Sequence, residues 1–165
     1  MNNWRIEIRY AVLINLLMLL WLATEFLVGL HDTFIQFHPY VTMLAIVIPV
    51  ACSRLAISAK TEELNGKISF KQAFVTGAVI AVLSAVLMVG TQYVFHALIN
   101  PDFFDNMVAY SVKQAELKGI DTATATTDAQ RYFNLTAYLL QSSIFALVFG
   151  LLLALFWAWR LRTEK

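Results

Sequence analysis

Residues 72–99 read QAFVTGAVIAVLSAVLMVGTQYVFHALI, a run without a single Asp, Glu, Lys or Arg. A helix needs roughly 20 predominantly apolar residues to cross the hydrocarbon of a bilayer, where no water satisfies an unpaired backbone group. This run is long enough. Working outward from it, three more stretches qualify: about 10–30 and 40–57 before it, and about 135–159 after it. Of 165 residues, 59% are hydrophobic and only 14% charged, against about a quarter charged in a soluble domain. The expectation is an all-α membrane protein, a four-transmembrane-helix bundle forming one integral membrane domain over 1–165. The second span is the shortest. Its uncharged part ends at Arg54 and it contains Pro49. A kinked helix is expected there, with Arg54 either reaching headgroup phosphates or pairing with Glu62 or Glu63.

The basic residues orient the spans independently of hydropathy. Arg5 and Arg9 precede the first span, Arg54, Lys60, Lys67 and Lys71 border or fill the second connection, and Arg160, Arg162 and Lys165 follow the fourth. Nine of the 12 Lys and Arg residues thus fall on one side, which the positive-inside rule makes cytoplasmic, with both termini inside. Lys113, Lys118 and Arg131 share the remaining long connection with Asp102, Asp105, Glu116, Asp121 and Asp128, so that segment is net negative and external. Trp4, Trp157 and Trp159 fit an aromatic belt at the cytoplasmic interface. The first span has a basic flank like a secretory signal, but its apolar run is too long and no small-x-small site follows, so it reads as an uncleaved anchor. The net charge of +1 gives no reason to expect a nucleic-acid partner. Cys52 stands alone in an apolar run and reads as a small buried hydrophobe, without disulfide or zinc spacing.

Local signals subdivide the connections. Asn65-Gly66 is a turn pair, and Ser69 with Gln72 three residues on is a capping box opening the third helix. In the external connection, Asn100 as N-cap, Pro101 at the first helical position and Lys118-Gly119 as a stop bracket one amphipathic helix within an insertion of about 101–131. Phe104, Val108, Val112 and Ala115 make its apolar face, which rests either on the headgroup boundary or over the mouth of the bundle. Thr127 with Gln130 offers a further capping box ahead of the fourth span.

Small residues recur every fourth position along the third span, at Ala73, Gly77, Ala81 and Ala85, and along the fourth, at Ser142, Ala146, Gly150, Ala154 and Ala158. Such rows let membrane helices approach closely. In an antiparallel pair Ala73 would face Ala158, Gly77 Ala154, Ala81 Gly150 and Ala85 Ala146, so a packing seam between these spans is expected. Self-association through the same rows is the other option.

Glu25 reads as the one carboxylate inside a span, and an ionisable group at that depth raises a functional hypothesis by default. His31, Asp32, His38, Gln92, His96 and Gln141 fall near the same level, so Glu25, His96, Gln92 and Gln141 form the candidate intramembrane polar site, with Glu25 and His96 as a proton-linked pair or part of a ligand pocket. The ordinary alternative is a hydrated or hydrogen-bonded Glu25 near the interface. No metal site is assigned to the His31–His38 loop, whose geometry spacing alone does not define, and no cofactor is expected. No Ser/His/Asp order, nucleotide-binding glycine loop, His-Glu-x-x-His run or catalytic carboxylate pair occurs, so no catalytic residue is assigned.

The run Gly66-Lys-Ile-Ser-Phe-Lys-Gln-Ala-Phe-Val-Thr-Gly77, with Phe95, Ile99, Asn100, Pro101, Asp102 and Phe103 further on, resembles the bacterial membrane proteins grouped as the domain of unknown function 4199 family. The resemblance implies a four-helix protein of the bacterial inner membrane and carries over no site residues. The expected function is that of a non-enzymatic inner-membrane subunit or scaffold, envelope-related, whose partners are the lipid bilayer and another membrane protein or further copies of itself. The alternatives are a small oligomeric transporter or channel with Glu25 and His96 near its pathway, and an accessory to lipid-linked glycosyl transfer.

Overall fold

The computed structural model describes residues 4–164. Lys165 of the basic C-terminal run lies outside the described residues. Six helical elements follow one another: α1 (Arg5–Leu27), α2 (Ile35–Glu63), α3 (Phe70–Ile99), α4 (Phe103–Leu117), α5 (Thr122–Tyr132) and α6 (Leu135–Leu161). No strand occurs among the described residues. Four of the helices, α1, α2, α3 and α6, are long and apolar enough to cross a membrane, as a multi-pass membrane protein requires.

Each span is longer than hydropathy alone suggests, because helix continues past the apolar core into polar ends. α1 begins at Arg5, a full turn before Tyr10, and closes at Leu27, not Leu30. α2 is composite. It starts with a 3₁₀ turn over Ile35–Phe37, makes one α-turn at His38–Val41, tightens to 3₁₀ over Thr42–Ile46 and runs as α-helix over Val47–Glu63. The change of winding lies just ahead of Pro49, whose nitrogen has no hydrogen for the carbonyl four residues back. α3 opens with the expected capping box: Ser69 Oγ accepts from the Gln72 amide at 3.3 Å while Gln72 Oε1 accepts from the Ser69 amide at 2.9 Å. At its far end, α3 widens into a π-turn over Val94–Ile99.

The connection between α3 and α6 departs from expectation. It holds two helices where one was expected, because Lys118-Gly119 ends α4 and Asp121 immediately caps α5 through the Thr124 amide at 2.8 Å. Gly119, at φ +69°, takes the left-handed conformation that this stop needs. α4 begins at Phe103, after Asp102, so Asn100 and Pro101 precede it. Thr127 lies inside α5, its hydroxyl bonded to the Ala123 carbonyl, and the cap of α6 is Asn134, which accepts from the Ala137 amide at 2.9 Å. The buried ridge of α4 is Phe103, Met107 and Ala115, about one residue round from the expected face. Phe103 and Met107 of this ridge pack with Ile35, Phe133 and Tyr138 over one end of the bundle.

That end, roofed by α4, is the cap end. The opposite, terminal end holds the start of α1, where Glu7 meets Thr76, and the stretch after α6, where Thr163 Oγ1 accepts from the Ile68 amide at 2.8 Å. Between the two, α3 and α6 make the most extensive helix pair. Ala73 and Ala158 share one buried cluster. A Cβ built on Gly77 would lie 2.6 Å from Ala154 Cβ, and one on Gly150 2.7 Å from Ala81 Cβ, so only glycine permits this approach. A turn further toward the cap, Ala85 is buried and Ala146 borders a cavity of about 400 Å³. Met18, Met43, Ile46, Ser84, Gln92 and Phe145 also line it, so all four spans contribute to its wall.

Candidate functional site

The site at the cap end follows from how α1 stops. Gly29, at φ +80°, reverses the chain, with the Gly29 amide donating to the Phe26 carbonyl at 3.0 Å and the Leu30 amide to the Glu25 carbonyl at 2.9 Å. This Schellman arrangement folds the residue after Leu30 back over Glu25, and that residue is His31. The first turns of α2 then bring His38 to the same place. The Glu25 Oε2 atom lies 3.4 Å from His31 Nε2 and 3.7 Å from His38 Nδ1. All three side chains are buried, Glu25 and His31 at 1% exposure each.

The remaining atoms of this cluster are held from several elements. Trp21 Nε1 donates to Glu25 Oε1 at 2.7 Å, leaving Oε2 to face the imidazoles. The Asn100 side-chain amide lies 2.9 Å from His31 Nδ1, and Asn106 Nδ2 on α4 donates to the His31 carbonyl at 3.0 Å. Asn100 therefore closes α3 and orients a histidine, and the N-cap position of α4 falls to Asp102. The Phe103 ring closes the cluster, with centroids 4.9 Å from His31, 5.4 Å from His38 and 4.6 Å from His96.

The expected site residues divide. Glu25 is central, but it does not pair with His96. The π-turn of α3 carries the His96 ring into an aromatic nest of Phe95, Phe103, Phe104 and Tyr138, and neither of its nitrogens has a hydrogen-bond partner among the described residues. Gln92 is buried against the central cavity, its Nε2 3.8 Å from Met88 Sδ. Gln141 is exposed on α6. Asp32 is exposed too, its carboxylate turned to the Thr33 amide. Arg54 lies 6.0 Å from the Trp157 ring, and it is Lys60 that bonds Glu63, at 2.9 Å.

Composition and spacing missed a second buried carboxylate. Glu7, with no exposed surface, sits at the terminal end, where Thr76 Oγ1 donates to Oε1 at 3.3 Å and Lys60 Nζ approaches the same atom at 3.5 Å. The signal for it was the helical spacing that places Glu7 on the same face as the buried Ala11 and Ile14. Between the carboxylates, Asn15 Oδ1 accepts from Thr91 Oγ1 at 3.1 Å, and its amide donates to the carbonyls of Ala11 and Ser84 at 2.9 and 3.4 Å.

Chemically, the cap-end cluster offers one carboxylate oxygen and two imidazole nitrogens to a common point. It can hold a proton or a cation. In a low-dielectric surrounding the carboxylate is stable as an anion only against such a positive partner.

No curated protein and no solved structure matches the chain. A family model described as a protein of unknown function, DUF4199, matches residues 9–163, which takes in α2 to α6 whole and most of α1. The chain belongs to this DUF4199 family.

Proposed function

We propose that this chain is a non-enzymatic binding subunit of the bacterial inner membrane, with both termini cytoplasmic and the cap end outside, and that the Glu25 cluster is its functional centre. The observation that carries the reading is the closure of Glu25, His31 and His38 under Phe103, tied to α4 through Asn106. Occupancy of the cluster is thereby linked to the position of α4, the helix that roofs this end of the bundle. Below the cluster, the small-residue seam and the Glu7–Lys60 pair close the bundle toward the terminal end, which favours binding over conduction. The asymmetry of basic residues favours the orientation.

The transporter alternative, with Glu25 and His96 near the pathway, makes the opposite demand. Purified chain in phosphatidylethanolamine/phosphatidylglycerol vesicles under a proton gradient is expected to leak no faster than protein-free vesicles. Proton flux lost in Glu25→Gln would overturn the binding reading. Protease protection of the α4–α5 loop in sealed inner-membrane vesicles, with cleavage in spheroplasts, is the expected topology result.

A further inference from the structure

The geometry points to a transition-metal site: we propose that Glu25 Oε2, His31 Nε2 and His38 Nδ1 bind one divalent first-row ion of the Zn(II) class, with a fourth position left for an exchangeable ligand. The inference rests on the binding reading above and names its ligand.

The donor atoms are spaced for it. Bonds of 2.0–2.2 Å in a tetrahedron place neighbouring donors about 3.3 Å apart. The two edges from Glu25 Oε2 are 3.4 and 3.7 Å, and all three donors lie within 4.8 Å of one another. Two imidazoles and one carboxylate are the donor set of open, three-ligand zinc centres. They ill suit Mg(II) or Ca(II), which take six or more oxygens. All three ligands are buried, so they need not be stripped of water when the ion arrives.

Hydrogen bonding accounts for only part of this cluster. Without an ion, His31 is satisfied: Nε2–H donates to Glu25 and Nδ1 accepts from Asn100. His38 is not. Its Nδ1 is buried, aimed at Glu25 Oε2 and without a hydrogen-bond partner among the described residues. A buried polar atom with no partner is costly, and a metal ion bridging it to Glu25 supplies the partner. The outer contacts fit the same state. With the ion on His31 Nε2, Nδ1 carries the proton and donates to the Asn100 side-chain oxygen, the amide turned over. Trp21 continues to hold Glu25 Oε1, so the carboxylate offers one oxygen. Binding shifts the His31 proton from Nε2 to Nδ1, which frees the Nε2 lone pair for the ion, and any second proton carried on His31 or His38 leaves to solvent.

The test uses full-length protein in detergent, stripped with chelator and titrated with Co(II), whose four-coordinate complexes absorb intensely in the visible. One equivalent is expected to generate the band, and Zn(II) to quench it by displacement. His38→Ala and Glu25→Gln should each weaken Co(II) binding by more than the roughly 100-fold reached by loss of an outer partner, and Asn100→Ala by about 10- to 100-fold. Monodispersity and helical circular dichroism identify variants that fold. His38→Gln keeps the side chain's bulk should the alanine variant fail. A folded wild type without saturable Co(II) absorbance overturns the metal site, as does a band that survives both His38→Gln and Glu25→Gln. The two readings fail separately: an absent band with vesicles that do not leak removes the metal alone, whereas Glu25-dependent flux removes the binding reading whatever the metal result.

Discussion

Both ends of α1 bury a carboxylate, and the two are treated differently. Glu7, at the terminal end, faces Lys60, a permanent cation that also bonds Glu63. Glu25, at the cap end, faces two imidazoles, whose charge depends on a proton or a metal ion. A carboxylate matched to a fixed charge is a structural tie, with one favourable state. A carboxylate matched to conditional charges has at least two, and a two-state element is what a binding or sensing role requires. The packing between them is graded rather than divided: α3 and α6 meet closely at Gly77 and Ala154, and a cavity of about 400 Å³ among the four spans runs from Gly77 and Gly150 to Gln92 nearer the cap end.

The comparison breaks most sharply at Lys60. Lys60→Met strands Glu7, which has no exposed surface, and removing one member of a buried pair costs about 3–5 kcal/mol. Because the Lys60 side chain retains 16% exposure, the lower end, about 3 kcal/mol, is expected. It should appear as a clear fall in the thermal midpoint in detergent, and Glu7→Gln in the same chain should restore part of it. A Lys60→Met protein as stable as wild type would remove the distinction between the two ends.

Gly77→Leu probes the packed half and is expected to cost about 1–3 kcal/mol by overpacking, since even a Cβ would meet Ala154 Cα at 2.9 Å. Gly150→Leu should behave alike. Gly90 is the internal control. It lies on the same helix as Gly77, but among the described residues nothing approaches its Cβ position within 4 Å, so Gly90→Ala should leave the midpoint unchanged or raise it. Equal losses at Gly77 and Gly90 would mean that the seam is not what limits stability.

In the conditional half, the metal-free protein should tolerate His38→Gln with a change of about 1 kcal/mol or less, because no hydrogen bond of Nδ1 is lost. With one equivalent of Zn(II) present, wild type should gain thermal stability and the variant should not. A large loss in the metal-free variant would turn the cap-end cluster into a second structural tie.

Much of this division could be read from residues 72–99 and the rows of Ala and Gly, because hydropathy and small-residue spacing are properties of single helices. The capping box at Ser69 and the stop at Gly119 were legible for the same reason. The Glu25 cluster was not. His31 reaches Glu25 through a glycine reversal and His38 through a composite, partly 3₁₀ start to α2, and neither path follows from residue spacing. Depth alone pointed to His96, but the π-turn rotates it into the aromatic nest. Glu7 escaped because a charged residue just before an apolar run looks like a solvated flank, while α1 in fact begins before it and presents it to Thr76 and Lys60.

The smallest effect lies on the cap itself, where Asp121 ties off the turn between α4 and α5. Hydrogen bonds from the side chain and amide of Thr124 hold its carboxyl below the usual carboxylate range. A group whose folded pKa is depressed contributes its full stabilisation above the unfolded value and loses it as pH falls through the folded one. The start of α5 should therefore be firm at neutral pH and fray only under acid conditions below the ordinary Asp range. Hydrogen exchange at the Thr124 amide should accelerate there relative to the middle of α5, while the thermal midpoint of the whole protein barely moves. Asp121→Ala should show the fast exchange at every pH, and Asp121→Asn, which keeps an acceptor oxygen, should show slow exchange without the acid step. If Asp121→Asn kept the acid step, the titrating group would lie elsewhere, and the Asp121–Thr124 bonds would not be what holds the start of α5.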